Sequence, residues 1–432
     1  MTYQTEGPVL SNMKKHSGKL NITAVAALLA ALVLLLSACG APANNGSPSG
    51  NAQNNSAPEE FTPQGHGDTD GKDDQDDMCS QILASMTLRE KVGQMFIIRP
   101  DQLDLSIAPA GTHTSKNSKA KTLTPAMIKV LEDYPAGGFI FFDKNIESKT
   151  QIMKFTAQVR EVSKYLPFVA IDEEGGKVTR LAGSTDKGIR VKTYKSMGAI
   201  GKTGDPANAL EAGQTIGKYL EEYGFNLDFA PVSDINTNPR NVIIGDRAFG
   251  SDPELVAKMV CAFIDGLHES KVLSSVKHFP GHGDTTADTH YGMVAVKKTW
   301  EQLKEAELIP FEASFGTTDF VMIAHINLPN STSDGRPASL SKELITDKLR
   351  GELGYNGLVT TDSLAMEAIT DQYSQEESAV LAVEAGVDVL LMPFDYTTSF
   401  DAIVSAVESG RIPESRIDDS VLRILRAKSG VQ

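Results

Sequence analysis

Residues 357–392, GLVTTDSLAMEAITDQYSQEESAVLAVEAGVDVLLM, hold one full period of the pattern that decides the fold. Gly357–Asp362 is a short apolar run ending in a carboxylate. Gln375–Ala385 has the length and composition of a helix. Val387–Met392 is a second apolar run. Two strands separated by a helix of this length pair in parallel, because an antiparallel pair can be joined by a short turn and a parallel pair cannot.

Working outward from this unit, the same period recurs. Strands are expected at Gln94–Ile98, Gly138–Phe142, Pro167–Asp172, Asn226–Pro231, Leu273–Phe279 and Phe320–Ile326, followed by the two above. Helices are expected at Met127–Asp133, Lys149–Lys164, Ala207–Tyr223, Glu254–Glu269, Lys342–Leu353 and Ser399–Ser409. Eight βα units in series predict an α/β fold, a (β/α)8 barrel of the TIM type, as a single catalytic domain over residues 79–432. A doubly wound sheet is the alternative, but no GxGxxG follows the first strand and there is no Walker loop.

The N-terminal part reads differently. Lys14, Lys15 and Lys19 precede an apolar run from Ile22 to Leu36, too short for a spanning helix and suited to a signal peptide. It ends in Leu36-Ser37-Ala38-Cys39-Gly40, which resembles a bacterial lipobox. The expectation is a signal peptide over 1–38, lipidation at Cys39, and a protein exported and anchored by lipid to the outer face of the bacterial cell membrane. Translation from Met13 instead of Met1 would leave a more typical n-region. Residues 39–78 are polar and then acidic, with Asp68, Asp70, Asp73, Asp74, Asp76 and Asp77, and are expected to form a disordered tether. Cys79 and Cys261 could pair in an oxidising compartment; a buried free thiol at Cys261 is the favoured reading. Lys and Arg number 41 against 56 Asp and Glu, a net charge of −15, which argues against a nucleic-acid partner.

In such barrels chemistry collects at the C-terminal ends of the strands. Here those ends carry Asp172-Glu173-Glu174-Gly175-Gly176, Lys277-His278-Phe279-Pro280-Gly281-His282-Gly283, Ala324-His325 and Thr361-Asp362-Ser363. Asp362 suits a nucleophile on a rigid strand end, with a helix N-cap as the alternative reading. Asp288 and His290, two apart after a Gly-rich turn, suit an acid/base and its partner, since imidazole titrates near neutrality. His278, His282, His290 and Asp284 could instead hold a metal. They are divided between a strand end and a loop, so no metal is expected.

These residues resemble the signature of glycoside hydrolase family three, in its β-N-acetylglucosaminidase branch. The resemblance rests on Lys277 to His290 with its Asp-x-His pair, on Val169-Ala-Ile-Asp172-Glu-Glu-Gly-Gly-Lys-Val-Thr-Arg180, on Asn238 to Gly250 with Arg247, and on Thr361-Asp362-Ser363-Leu364-Ala365-Met366. Lys177, where Arg is commoner, and Ser363 depart from the pattern. The resemblance implies a retaining exo-β-N-acetylglucosaminidase acting on glycans such as peptidoglycan fragments or chito-oligosaccharides. Asp362 would attack the anomeric carbon, His290 would be the acid/base with Asp288 as its partner, and Asp172, Arg180, Arg247, Lys277 and His278 would bind the sugar. No cofactor is expected. The expected partners are the carbohydrate substrate and the membrane, and the expected state is a monomer. A β-glucosidase of the same family and a lipid-anchored solute-binding protein are the alternatives.

Overall fold

The computed structural model describes residues 70–104, 119–285 and 292–431. The lipobox, most of the tether, Asp288 and His290 lie outside the described residues.

Ten strands are described. They are β1 (Phe96–Ile98), β2 (Gly138–Phe141), β3 (Phe168–Ile171), β4 (Leu227–Asp228), β5 (Leu273–Phe279), β6 (Val294–Ala295), β7 (Phe320–Ile323), β8 (Ile326–Asn327), β9 (Leu358–Thr361) and β10 (Leu390–Leu391). Eight form one parallel sheet in the order β10-β1-β2-β3-β4-β5-β7-β9. A parallel bridge from Thr360 to Val389 joins β9 to the approach to β10 and closes the ring. Closure rejects the doubly wound alternative, in which both sheet edges stay apart. All seven residues of β5 are buried, including the polar Ser274, Ser275, Lys277 and His278, as befits a central strand of a sheet covered on both faces.

Local signals place the helices. Asp205-Pro206 and Asp252-Pro253 open the helices Pro206–Glu222 and Pro253–His268: each Asp side chain accepts an amide of the first turn, and each Pro needs no amide partner there. Ser374 caps Gln375–Ala385, which ends at Gly386 with φ of 110°, a conformation that glycine adopts without a steric penalty.

Several expectations shift. The expected Phe320–Ile326 strand divides: β7 stays in the barrel, while β8 turns away after His325 and pairs with β6. Lys342–Leu353 is a π-helix over Glu343–Glu352. Beyond several short helices, two long ones were not expected. One, Glu414–Ser429, buries Ile417, Val421, Ile424 and Leu425. The other, Asp70–Ser85, begins inside the acidic stretch expected to be tether. It is ordered by long-range contact: Asp76 pairs with Arg426 at 2.8 Å, Gln75 bonds Ser429, and Cys79 is buried with Ile82 and Leu83 against the core. Cys79 and Cys261 are both free thiols, the first buried and the second half-buried.

Candidate active site

The C-terminal ends of the strands bring those expected residues that are described to one rim. Asp172 follows β3 and uses both carboxylate oxygens: Oδ1 pairs with Lys277 Nζ at 3.1 Å and Oδ2 with Arg180 Nη2 at 3.2 Å. Arg180 also lies over the Phe142 ring, 5.1 Å from its centroid. Lys277 comes from β5, where the ladder with β7 slips between Lys277 and Phe279. Such a bulge re-aims side chains, and the consecutive Lys277 and His278 each find a carboxylate.

Sequence reasoning left Glu174 without a role, yet it is the electrostatic centre of the rim. Its side chain is 1% exposed. Arg247 approaches as a fork, Nε to Oε2 at 2.8 Å and Nη2 to Oε1 at 2.7 Å, and Lys277 Nζ reaches Oε1 at 2.6 Å. Burial opposes charge on all three groups, but mutual attraction prevails. The two cations hold the Glu174 carboxyl well below the usual carboxylate range, and Arg247 and Lys277 are held above their ordinary values.

Asp234, also missed, organises the histidines. It is fully buried. Its Oδ2 meets His278 Nδ1 at 2.7 Å and accepts the His278 amide at 3.2 Å, while Oδ1 accepts the His282 amide at 2.6 Å. With Nδ1 engaged, His278 Nε2 faces Arg247 Nη2 at 3.5 Å. His282 contacts Thr285 Oγ1 through Nδ1 at 2.8 Å; burial, reinforced by His278, pushes its pKa down. The only advance signal for Asp234 was an acid three residues past a strand-ending proline, and its partners lie 44 and 48 residues away.

Two asparagines tie the Arg247 loop to the loop after β5. Asn241 Nδ2 donates to the His282 carbonyl at 2.8 Å, and Asn238 Nδ2 to the Thr285 carbonyl at 3.1 Å. Asp362 is half-buried past β9. Its amide donates to the Ile323 carbonyl at 3.0 Å and its Oδ1 accepts the Ser363 amide at 2.7 Å. The next helix, Glu367–Thr370, has Met366 at its N-cap, so Asp362 is not a helix cap. His325 supports this strand end, with Nε2 at 2.8 Å from the Ser363 carbonyl and Nδ1 at 2.7 Å from Ser339 Oγ. Asp362 and His282 both lie just past C-terminal strand ends of the barrel, those of β9 and β5. Lys177, the departure from the expected pattern, is exposed and pairs with Asp246 at 2.9 Å. Among the described residues no group of three His, Cys, Asp or Glu is placed to hold a metal ion.

The structure therefore joins Asp172, Arg180, Arg247, Lys277 and His278 in one network with Glu174 and Asp234. A family model for the glycosyl hydrolase family 3 N-terminal domain matches residues 87–427, which spans all of these positions. The chain belongs to glycosyl hydrolase family 3.

Relatives within family 3 carry consistent names. The chain is 32% identical over 334 residues to beta-hexosaminidase A of Pseudoalteromonas piscicida, covering 71% of this chain and 56% of that one. It is 33% identical over 267 residues to a beta-hexosaminidase of Tolumonas auensis, covering 61% and 77%. A solved family 3 beta-N-acetylglucosaminidase from Paenibacillus superposes with a TM-score of 0.73 at 37% identity, covering 80% of this chain and 63% of that chain. The chain thus spans under two thirds of the length of the first and last of these.

Proposed function

We propose that this family 3 chain is a retaining exo-β-N-acetylglucosaminidase, releasing N-acetylglucosamine from the non-reducing end of glycans such as peptidoglycan fragments or chito-oligosaccharides. The observation that carries the reading is the arrangement of the rim. A network of two carboxylates and three cations (Asp172, Glu174, Arg180, Arg247 and Lys277), buried at Glu174 and Lys277 and half-buried elsewhere, lies on the same barrel rim as Asp362. Fixed charges of both signs recognise a polyol, since carboxylates accept from hydroxyls and guanidinium or ammonium groups donate to them. The names of the relatives favour a 2-acetamido sugar over plain glucose.

In this reading the network and His278 hold the sugar, and Asp362 attacks the anomeric carbon. The bond from carbon to Asp362 Oδ forms as the bond to the leaving oxygen breaks. His290, with Asp288 orienting and charge-stabilising its imidazole, donates a proton to that oxygen. It then takes one from the water that hydrolyses the glycosyl ester, restoring the carboxylate. Export and anchoring through lipid at Cys39 belong to the same proposal, and Cys39→Ala protein recovered active from the soluble fraction would support them. Wild-type protein that is exported yet unlipidated would reject them.

The test of activity compares the para-nitrophenyl β-glycosides of N-acetylglucosamine and glucose. Hydrolysis of the first at a kcat/KM at least tenfold higher is expected. Preference for the glucoside would assign the site to β-glucosides, and turnover of neither would reject the proposal.

A further inference from the structure

Asp172-Glu173-Glu174 places three acids in succession. The outer two belong to the rim network. The middle one has no part in it and is 0% exposed. Its carboxylate turns to the chain that returns from the rim: Oε2 accepts the amides of Arg180 at 2.6 Å and Leu181 at 2.9 Å, and Oε1 accepts the amide of Ala182 at 2.9 Å and the hydroxyl of Tyr219 at 3.0 Å. Between these points the chain turns sharply through Gly175 and Gly176, with φ of 83° and 72°, and a bridge joins Gly175 to Val178. The Glu173 amide in turn donates to Asp228 Oδ1 at 2.9 Å, while Asp228 Oδ2 is buried with no hydrogen-bond partner.

We propose that Glu173 is a positioning residue for Arg180: its carboxylate gathers three successive backbone amides and so fixes the point from which the Arg180 guanidinium reaches Asp172 and the sugar. Four donors around one carboxylate are an arrangement for the ionised form, whereas the single amide at Asp228 is not. Burial pushes both carboxyls up, Asp228 well above its ordinary range, with the Glu173 charge adding to the effect; the donors around Glu173 pull it back. Both carboxyls are raised overall, and Asp228, with one amide donor against four at Glu173, takes up a proton the more readily of the two. The consequence is asymmetric. Glu173→Gln sets an amide NH2 against backbone N–H groups and breaks the cradle. Asp228→Asn keeps the acceptor for the Glu173 amide and changes little.

The role rests on the sugar-binding reading of the rim, and two measurements separate it from that reading. Hydrogen exchange at the amides of Arg180, Leu181 and Ala182 reports the cradle without any turnover. Glu173→Gln should raise their exchange at least tenfold, and unchanged protection would overturn the proposal. A double-mutant cycle on the aryl N-acetylglucosaminide reports the positioning. Glu173→Gln alone should lower kcat/KM at least tenfold, mainly through KM, and should cost less than threefold once Arg180→Ala is present. Multiplicative losses would overturn the role, since a general structural defect would act equally in both backgrounds. Asp228→Asn should stay within about twofold of wild type, and a loss as large as that of Glu173→Gln would overturn the assignment of charge. If Glu173→Gln does not fold, Tyr219→Phe, which removes one of the four donors, enters the same cycle with about threefold expected alone and no further loss beside Arg180→Ala. A wild-type chain with intact protection but no glycoside turnover would reject the sugar-binding reading and the positioning role with it.

Discussion

Lys428 offers the clearest quantitative test of how this barrel is held together. It lies on the helix Glu414–Ser429 and is 2% exposed. Its ammonium donates to Gln94 Oε1 at 2.7 Å and to the Gly137 carbonyl at 2.8 Å, and sits 4.7 Å from the centroid of the Phe168 ring. These groups precede or open β1, β2 and β3, so the lysine closes the end of the barrel opposite the rim. Its two hydrogen-bond acceptors are neutral, and burial pushes its pKa from 10.5 down to about 7. Below pH 7 both folded and unfolded chains carry the proton. Between about 7 and 10.5 the unfolded chain binds more protons, so stability rises with pH across that window. At about 1.4 kcal/mol per unit, the part of the rise between pH 7 and 9 is on the order of 2 kcal/mol. Urea midpoints measured every half unit from pH 6 to 10, for wild type and Lys428→Met, isolate it, because other titrations cancel in the difference. The wild-type midpoint should climb relative to the variant. Parallel curves would refute the reasoning and mean that Lys428 remains charged in the fold.

Asp362→Ala should fold as wild type and lose several orders of magnitude in kcat, as loss of covalent catalysis costs roughly 5 kcal/mol or more; a fluorosugar inactivator found by mass spectrometry on another carboxylate would reject Asp362 as nucleophile. His290→Ala should lose activity in proportion to the basicity of the leaving group, with Asp288→Asn showing the same trend more mildly; a uniform loss across aryl glycosides would make His290 a binding residue. Gly283→Ala places a Cβ 1.8 Å from the Ile235 carbonyl oxygen, so the loop after β5 must shift and kcat should fall at least tenfold; wild-type kinetics would show that the placement of this loop is not needed.

Much of this fold was legible because its signals are local. β5 and the helix Gln375–Ala385 occupy the residues expected of them, one from its place in the repeating βα period and the other from its length and helical composition. The rim was legible because acids and bases recur just past strand ends. What escaped depended on distant partners. The Asp70–Ser85 helix looks like solvated chain until Arg426, 350 residues on, pairs with Asp76. The Glu414–Ser429 helix shows its apolar stripe at Ile417, Val421, Ile424 and Leu425, but an eightfold count of βα units leaves no place that requires it. The division between β7 and β8 follows from His325 reaching Ser339 and Ser363, contacts that no local pattern encodes. Asp234 and Glu174 were visible as residues and silent as to role, since their partners come from other strands.

The succession Asp172-Glu173-Glu174 shows why such a site depends on closure of the whole barrel. In the unfolded chain three adjacent carboxylates repel one another. In the fold each is directed to a different counterpart: Asp172 to Arg180 and Lys277, Glu173 to backbone amides, and Glu174 to Arg247 and Lys277. Lys277 arrives from β5 and Arg247 from the loop after β4, so no contiguous fragment contains the balanced charge. A buried ion network of this kind is weak evidence for stability, because desolvation offsets most of the attraction. Its strength is geometric. Lys277 bridges Asp172 and Glu174, and Glu174 holds Arg247 as a fork, so the rim groups constrain one another before any sugar enters. On the proposed reading of the rim, binding would then need little reorganisation of these groups, which is the condition for a preorganised site.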